Sequence, residues 1–133
     1  MRMIFVNLPV KDVAAARDFY TKLGFTANEQ FSDENTASMV VEQNITVMLL
    51  GEAKFKEFIN GEISDPNTTE VLNALSADSR EEVDQLVAAA LAAGGAEWKP
   101  FQDHGFMYGG SFRDLDGHVW EVMWMDLAAL AEG

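Results

Sequence analysis

Asp114-Leu115-Asp116-Gly117-His118-Val119-Trp120-Glu121-Val122-Met123-Trp124 is the stretch on which the fold turns. An acidic turn carrying Gly117 runs into a segment rich in β-branched and aromatic residues, the pattern of a hairpin turn followed by a strand. Alternation divides that strand into two faces. Trp120, Val122 and Trp124 share one, and Val119, Glu121, Met123 and Met125 share the other. Glu121 is a lone carboxylate among apolar neighbours, and a buried acid has to be satisfied by something. His118 and Glu121 are three apart, so they point to opposite faces and cannot chelate one ion together.

Upstream of this hairpin the chain repeats a plan. Met3 to Leu8 reads as a strand stopped by Pro9. Asp12 then caps a helix from Val13 to Lys22, closed by Gly24, with Val13, Ala16, Tyr20 and Leu23 on its buried face. Phe25 starts a second strand, and Met39–Glu42 and Ile45–Leu50 form a hairpin around Gln43-Asn44. Gly51 to Asn67 is a connector in which Phe55, Phe58 and Ile59 suggest a short helix. The plan then returns as a strand at Val71–Ala77 and a helix opened by the capping box Ser79-Arg80-Glu81-Glu82. That helix buries Val83, Leu86, Val87, Ala90 and Leu91 and stops at Gly94-Gly95. Strands follow at Glu97–Phe101, Phe106–Arg113 and His118–Met125, and Asp126 caps a short terminal helix. Ser38 and Ser111 stand 73 residues apart (111 − 38), as do Met48 and Glu121 (121 − 48). Such duplication sets an architecture before any detail does.

The predicted fold is α+β: two tandem βαβββ modules whose curved sheets surround a cavity, with the helices on the outer face. The chain reads as a single domain over 1–133. Its parts are a first module at 1–50, a connector at 51–69, a second module at 70–126 and a tail at 127–133.

Composition narrows the function. The chain is 48% hydrophobic and 23% charged, which argues against disorder. A net charge of −13 disfavours nucleic acid and anionic membranes as partners and would suit a cationic or neutral ligand. There is no cysteine, so disulfides, thiol catalysis and cysteinyl metal sites are excluded. No apolar run reaches membrane-spanning length and no signal-peptide pattern opens the chain, which leads to the expectation of a cytoplasmic protein. Gly109-Gly110-Ser111 lacks the form of a nucleophile elbow, and the acidic turn has the wrong residues for a calcium loop.

The residues resemble a known family. Phe5-Val6-Asn7-Leu8-Pro9-Val10-Lys11-Asp12 with Asp18-Phe19-Tyr20-x-x-Leu23-Gly24-Phe25, Ala90-x-x-Ala93-Gly94-Gly95, and Asp114-Leu115-Asp116-Gly117-His118-x-x-Glu121 look like the vicinal oxygen chelate superfamily. That group includes glyoxalase I, bleomycin-resistance proteins and extradiol dioxygenases. The resemblance covers nearly the whole chain. It implies up to four metal ligands, on the first and last strands of each module. Here those positions are Phe5, Met48, Leu72 and Glu121, and only Glu121 suits a hard or borderline divalent ion. The resemblance therefore implies a member lacking most metal ligands, with no metal and no cofactor.

The expected function is a metal-independent small-molecule binding protein or enzyme of the glyoxalase/bleomycin-resistance type. The alternative is a metal-dependent lyase or dioxygenase using Glu121 with unaligned ligands. The candidate catalytic residues are Glu121 and His104. The candidate ligand wall is Phe5, Asn7, Met48, Leu72, Tyr108 and Met123. His104 is either a general base at the cavity mouth or an exposed loop residue beside Asp103. Glu121 either pairs with a base such as Arg113, is held protonated, or serves a ligand. Tyr108 and Arg113 are five apart, so without a bulge only one lines the cavity. A homodimer is expected from the resemblance.

Overall fold

The computed structural model describes residues 1–128, and the chain divides into two compact units, Met1–Thr68 and Thr69–Gly133. The first unit contains β1 (Ile4–Val10), α1 (Val13–Lys22), β2 (Thr26–Ala27), a 3-10 turn (Glu29–Phe31), β3 (Thr36–Glu42), β4 (Ile45–Gly51) and α2 (Glu52–Lys56). The second contains β5 (Leu72–Ser76), α3 (Arg80–Ala92), β6 (Gln102–Asp103), β7 (Met107–Arg113) and β8 (Val119–Met125). The sheets have the same topology, β1-β4-β3-β2 and β5-β8-β7-β6, each curved and open, with the first pair parallel and the rest antiparallel. The α+β repeat of βαβββ modules is therefore present.

Register makes the repeat concrete. Met48 stands opposite Ser38 and Glu121 stands opposite Ser111, so the two 73-residue spacings are equivalent cross-strand pairs. On the parallel side, Asn7 lies beside Met48 and Ala74 beside Glu121.

Each sheet packs one face on its helix. In the first unit, Ala37, Met39, Val47 and Leu49 of β3 and β4 pack with Ala16, Phe19 and Tyr20 of α1, and Leu8 and Val10 of β1 continue that buried face. Phe19, absent from the predicted face, packs edge-on against Tyr20. In the second unit, Trp120, Val122 and Phe112 pack with Val83, Val87 and Ala90 of α3, and Leu86 and Leu91 are half-buried flanks. On the tryptophan face of β8, Trp120 and Val122 are thus core and Trp124 is half-buried.

Local chemistry sets the ends. Asp12 caps α1 by accepting the Ala15 N–H (3.0 Å). Ser79 Oγ accepts the Glu82 N–H (3.1 Å), and Glu82 reaches back to the Asp78 N–H (3.0 Å), one residue before the expected partner. Pro9 does not end β1, which runs on to Val10. β1 is an edge strand, where a missing N–H costs no ladder bond. The short helix after β4 starts at Glu52 and packs on β1 and β4, so part of the connector belongs to the first unit. The expected strand at Glu97–Phe101 is replaced by the two-residue β6, which starts at the residue after it. Ala96 bridges Arg113 and Gln102 pairs Gly109, so six steps on one side (102 − 96) face four on β7 (113 − 109). Pro100 lies in that bulge, where it could not donate to a ladder. Asp126 accepts the Ala128 N–H (3.1 Å), and the remainder of the expected terminal helix and tail lies outside the described residues.

Candidate functional site

The bulge before β6 creates a recess on the second sheet. Where the chain departs from β7, Lys99, Pro100 and Gln102 reach the face opposite α3, while Phe101 stays on the α3 side against Tyr108. Lys99, Pro100, Gln102, Met107, Gly109, Gly110, Ser111, Glu121 and Met123 line a hollow of about 50 Å³. That volume admits a few water-sized groups and no more. Ser111 Oγ holds the segment in place by accepting the Lys99 N–H (3.1 Å) and donating to the Lys99 carbonyl (3.4 Å). Gly109 leaves room for the thioether opposite, since a Cβ there would lie 3.3 Å from Met123 Cγ.

Glu121 is half-buried in this recess, opposite Ser111. Its carboxylate makes no hydrogen bond and no ion pair among the described residues. The pairing with Arg113 that would have made it a structural salt bridge is not formed. Arg113 stands opposite Val119, two positions along β7 from Ser111, so its side chain leaves the same face as Glu121. It too is half-buried, and its Nε is buried without a hydrogen-bond partner.

The other expected residues fall in three places. Leu72 and Met123 share the open face with Glu121, Leu72 being opposite Val119 and 45% exposed. Phe5, Asn7 and Met48 lie on the corresponding face of the first sheet, with Asn7 beside Met48 and Phe5 beside Thr46. Tyr108 and His104 are not brought to Glu121. Tyr108 stands opposite Trp124, on the α3 face, where its hydroxyl donates to Asp84 (2.5 Å) and its ring stacks on Phe101. That hydrogen bond raises the Tyr108 pKa above 10. His104 sits in the exposed β6–β7 turn, level with Met107, four residues from Ser111 along β7, roughly 13 Å at strand rise. Its neighbour Asp103 forms a two-pronged pair with Arg80 (2.7 and 2.9 Å), which lowers the Asp103 pKa to about 2. Arg80 also lies over the rings of Tyr108 and Trp124, 5.1 Å from each centroid. This cluster pins the β6–β7 turn to the start of α3.

The turn between β7 and β8 is held by two acids. Asp114, 5% exposed, accepts the N–H groups of Asp116 and His118 through Oδ1, both at 2.9 Å. His118 is buried, with Nδ1 2.5 Å from Glu70 Oε1, a contact 48 residues apart in sequence. Gly117 takes a φ of 87°, a conformation that suits glycine.

The residues do not fit a divalent metal. The positions where the resemblance implies ligands hold Phe5 and Met48 in the first unit and Leu72 and Glu121 in the second. Among the described residues no group of three or more His, Cys, Asp or Glu side chains is arranged to hold a metal ion. No helix among them is long and apolar enough to cross a membrane.

Comparison with known proteins agrees with this fold. No curated protein matches the chain. Among solved structures it is similar to the hypothetical protein SA1046 of S. aureus, with 29% identity, a TM-score of 0.79 and 93% of this chain and 94% of that one covered. It is also similar to a glyoxalase/bleomycin resistance protein/dioxygenase family enzyme of Burkholderia phytofirmans PsJN, at 20% identity, TM-score 0.77 and coverage of 94% and 99%. A lactoylglutathione lyase of Agrobacterium tumefaciens shares the fold at 17% identity and TM-score 0.67, with 94% of each chain covered. The family model for the Glyoxalase/Bleomycin resistance protein/Dioxygenase superfamily matches residues 2–122. With its duplicated modules and its closing Asp-Gly-His-x-x-Glu hairpin, the chain belongs to that superfamily, as a glyoxalase-like member lacking most of the metal ligands.

Proposed function

We propose that the chain is a metal-independent small-molecule binding protein or enzyme of the glyoxalase/bleomycin-resistance type, with Glu121 as the polar anchor of its ligand. One observation carries this reading: a half-buried carboxylate faces a recess and has no partner among the described residues. Partial burial of a charge costs solvation that a hydrogen-bond donor recovers, and a ligand can supply that donor. Met107 and Met123 offer polarizable apolar walls beside it. Because the recess holds only one end of a ligand, the rest lies along the open sheet face, past Leu72. The same reading assigns Phe5, Asn7 and Met48 to ligand contact on the first sheet. Any catalysis would be proton transfer, with Glu121 as general base to a proton within hydrogen-bond reach. His104 and Tyr108 play no part in it, for the positional reasons above.

The test combines elemental analysis with ligand screening by thermal shift. Metal well below one equivalent is expected, along with ligand binding that survives chelator. Stabilising ligands should bind Glu121→Gln at least about tenfold more weakly, the loss of one charge-assisted hydrogen bond. Stoichiometric nickel, zinc or iron, removed by chelator with activity lost in parallel, would refute the proposal in favour of a metal-dependent lyase or dioxygenase. The proposed assembly is a homodimer, to be checked by analytical ultracentrifugation.

A further inference from the structure

The chain carries 22 acidic residues against nine basic ones, yet the Arg113 side chain has no acceptor among the described residues. Arg17 and Arg80 each pair with a carboxylate, Glu29 and Asp103. The Arg113 backbone is fully used, exchanging hydrogen bonds with Ala96 (2.8 and 3.0 Å), while its side-chain Nε is buried and unpartnered. A guanidinium stays charged at any physiological pH, and an orphaned buried donor is unfavourable. Two positions along the same face, Glu121 is equally unpaired. Diagonal neighbours on a pleated sheet lie roughly 7–8 Å apart. Among the described residues, the second sheet thus presents an unpaired cation and an unpaired anion as diagonal neighbours on one face.

We propose that Arg113 and Glu121 form a two-ended recognition site for a small molecule bearing a carboxylate and, a few ångströms away, a hydrogen-bond-donating group such as an ammonium or hydroxyl. This rests on the reading of the Glu121 face as the ligand face, and adds the ligand's chemical class. The carboxylate matches the planar fork of Arg113. The donor group meets Glu121, and the apolar body between them rests on the sheet at Ser111 and Val119 beside the exposed Leu72, with Met123 adjoining Glu121 on its other side. Other groups nearby are committed elsewhere. Ser111 Oγ is engaged with the Lys99 backbone, and Lys99 Nζ lies over the Trp98 ring, 5.2 Å from its centroid. The net charge of −13 does not forbid an anion here, because distant charges are screened over about 8–10 Å at physiological salt while a contact guanidinium is not.

The test uses three probes of one shape: 4-(aminomethyl)benzoate with both ends, 4-methylbenzoate with the anion alone and 4-methylbenzylamine with the cation alone. Binding to the full chain is followed by NMR through the Arg113 Nε–H signal and the methionine methyls. The two-ended probe should bind about tenfold or more tightly than either one-ended probe, and both carboxylates should shift the Arg113 Nε–H signal. Arg113→Lys, which keeps the charge but loses the fork, should weaken both carboxylates and leave the amine unchanged. Glu121→Gln should weaken only the probes carrying the amine. Carboxylate binding that leaves the wild-type Nε–H signal unmoved overturns the proposal without recourse to a variant. If the amine alone binds, moving the Met107 and Met123 methyls, the Arg113 site is refuted while Glu121 as ligand anchor stands. If no probe binds at millimolar concentration, the two-ended site is refuted, and the thermal-shift screen decides the broader reading separately.

Discussion

Replacing Asp114 by alanine tests the turn on which the second unit closes. Its Oδ1 is the acceptor for two backbone donors, Asp116 N–H and His118 N–H, each at 2.9 Å. The carboxylate is 5% exposed and His118 6% exposed, so water cannot readily replace the acceptor for His118. An orphaned buried donor costs about 1–3 kcal/mol, and the Asp116 N–H, on a half-buried residue, adds about 1 kcal/mol. The expected loss for Asp114→Ala is therefore about 2–4 kcal/mol, a large part of the roughly 5–15 kcal/mol that holds a domain folded. Asp114→Asn keeps an acceptor oxygen and loses only the charge, so about 1 kcal/mol is expected. Urea unfolding measures both. With a slope of about 2 kcal/mol/M, the alanine midpoint falls by about 1–2 M while the slope stays unchanged. An alanine variant within about 0.5 kcal/mol of wild type, or an asparagine variant as unstable as alanine, would refute the assignment of the carboxylate as the turn's acceptor.

Three further outcomes follow from the second unit. In Gly110→Ala the new Cβ would meet Phe101 Cε1 at 2.5 Å and Val87 Cγ2 at 3.0 Å. Thermal melts should show a loss of about 1–3 kcal/mol, largely recovered by adding Phe101→Leu, and a variant as stable as wild type would contradict this packing. Asp103, held at about 2 against an ordinary 3.8 chiefly by the Arg80 hydrogen bond, contributes stability that is present above the unfolded value. That stability is lost as pH falls through about 2, so Asp103→Asn should flatten the acid limb of the stability profile between about pH 4 and 2; an unchanged limb would remove the pair from the account. Tyr108, raised above 10 by its hydrogen bond to Asp84, contributes stability that is complete below pH 10 and fades as pH climbs past the raised value. Ultraviolet titration of Asp84→Asn should bring phenolate formation to lower pH than in wild type.

What could be read directly was whatever short-range chemistry controls. The caps at Asp12 and Ser79, the alternation in β8 and the 73-residue repeat are local patterns, and each appears in the folded chain. Period-2 alternation put Trp120 and Val122 on the face away from Glu121, and packing against α3 made that face the buried one. Other features depend on partners distant in sequence. Tyr108 and Arg113 had to take opposite faces, but only the register of β7 against β8 puts Arg113 with Glu121 and Tyr108 with Trp124. The recess depends on the bulge between Ala96 and Gln102, for which Pro100 was the available signal. His118 reads as a plain hairpin residue until Glu70, 48 positions earlier, is placed against it. Glu121 was identifiable as the one retained acid of a metal-binding pattern. That it stands without a partner among the described residues, beside an arginine likewise unpaired there, was decided by the tertiary structure, because a side chain's partner depends on which strands become neighbours, and no local spacing encodes that.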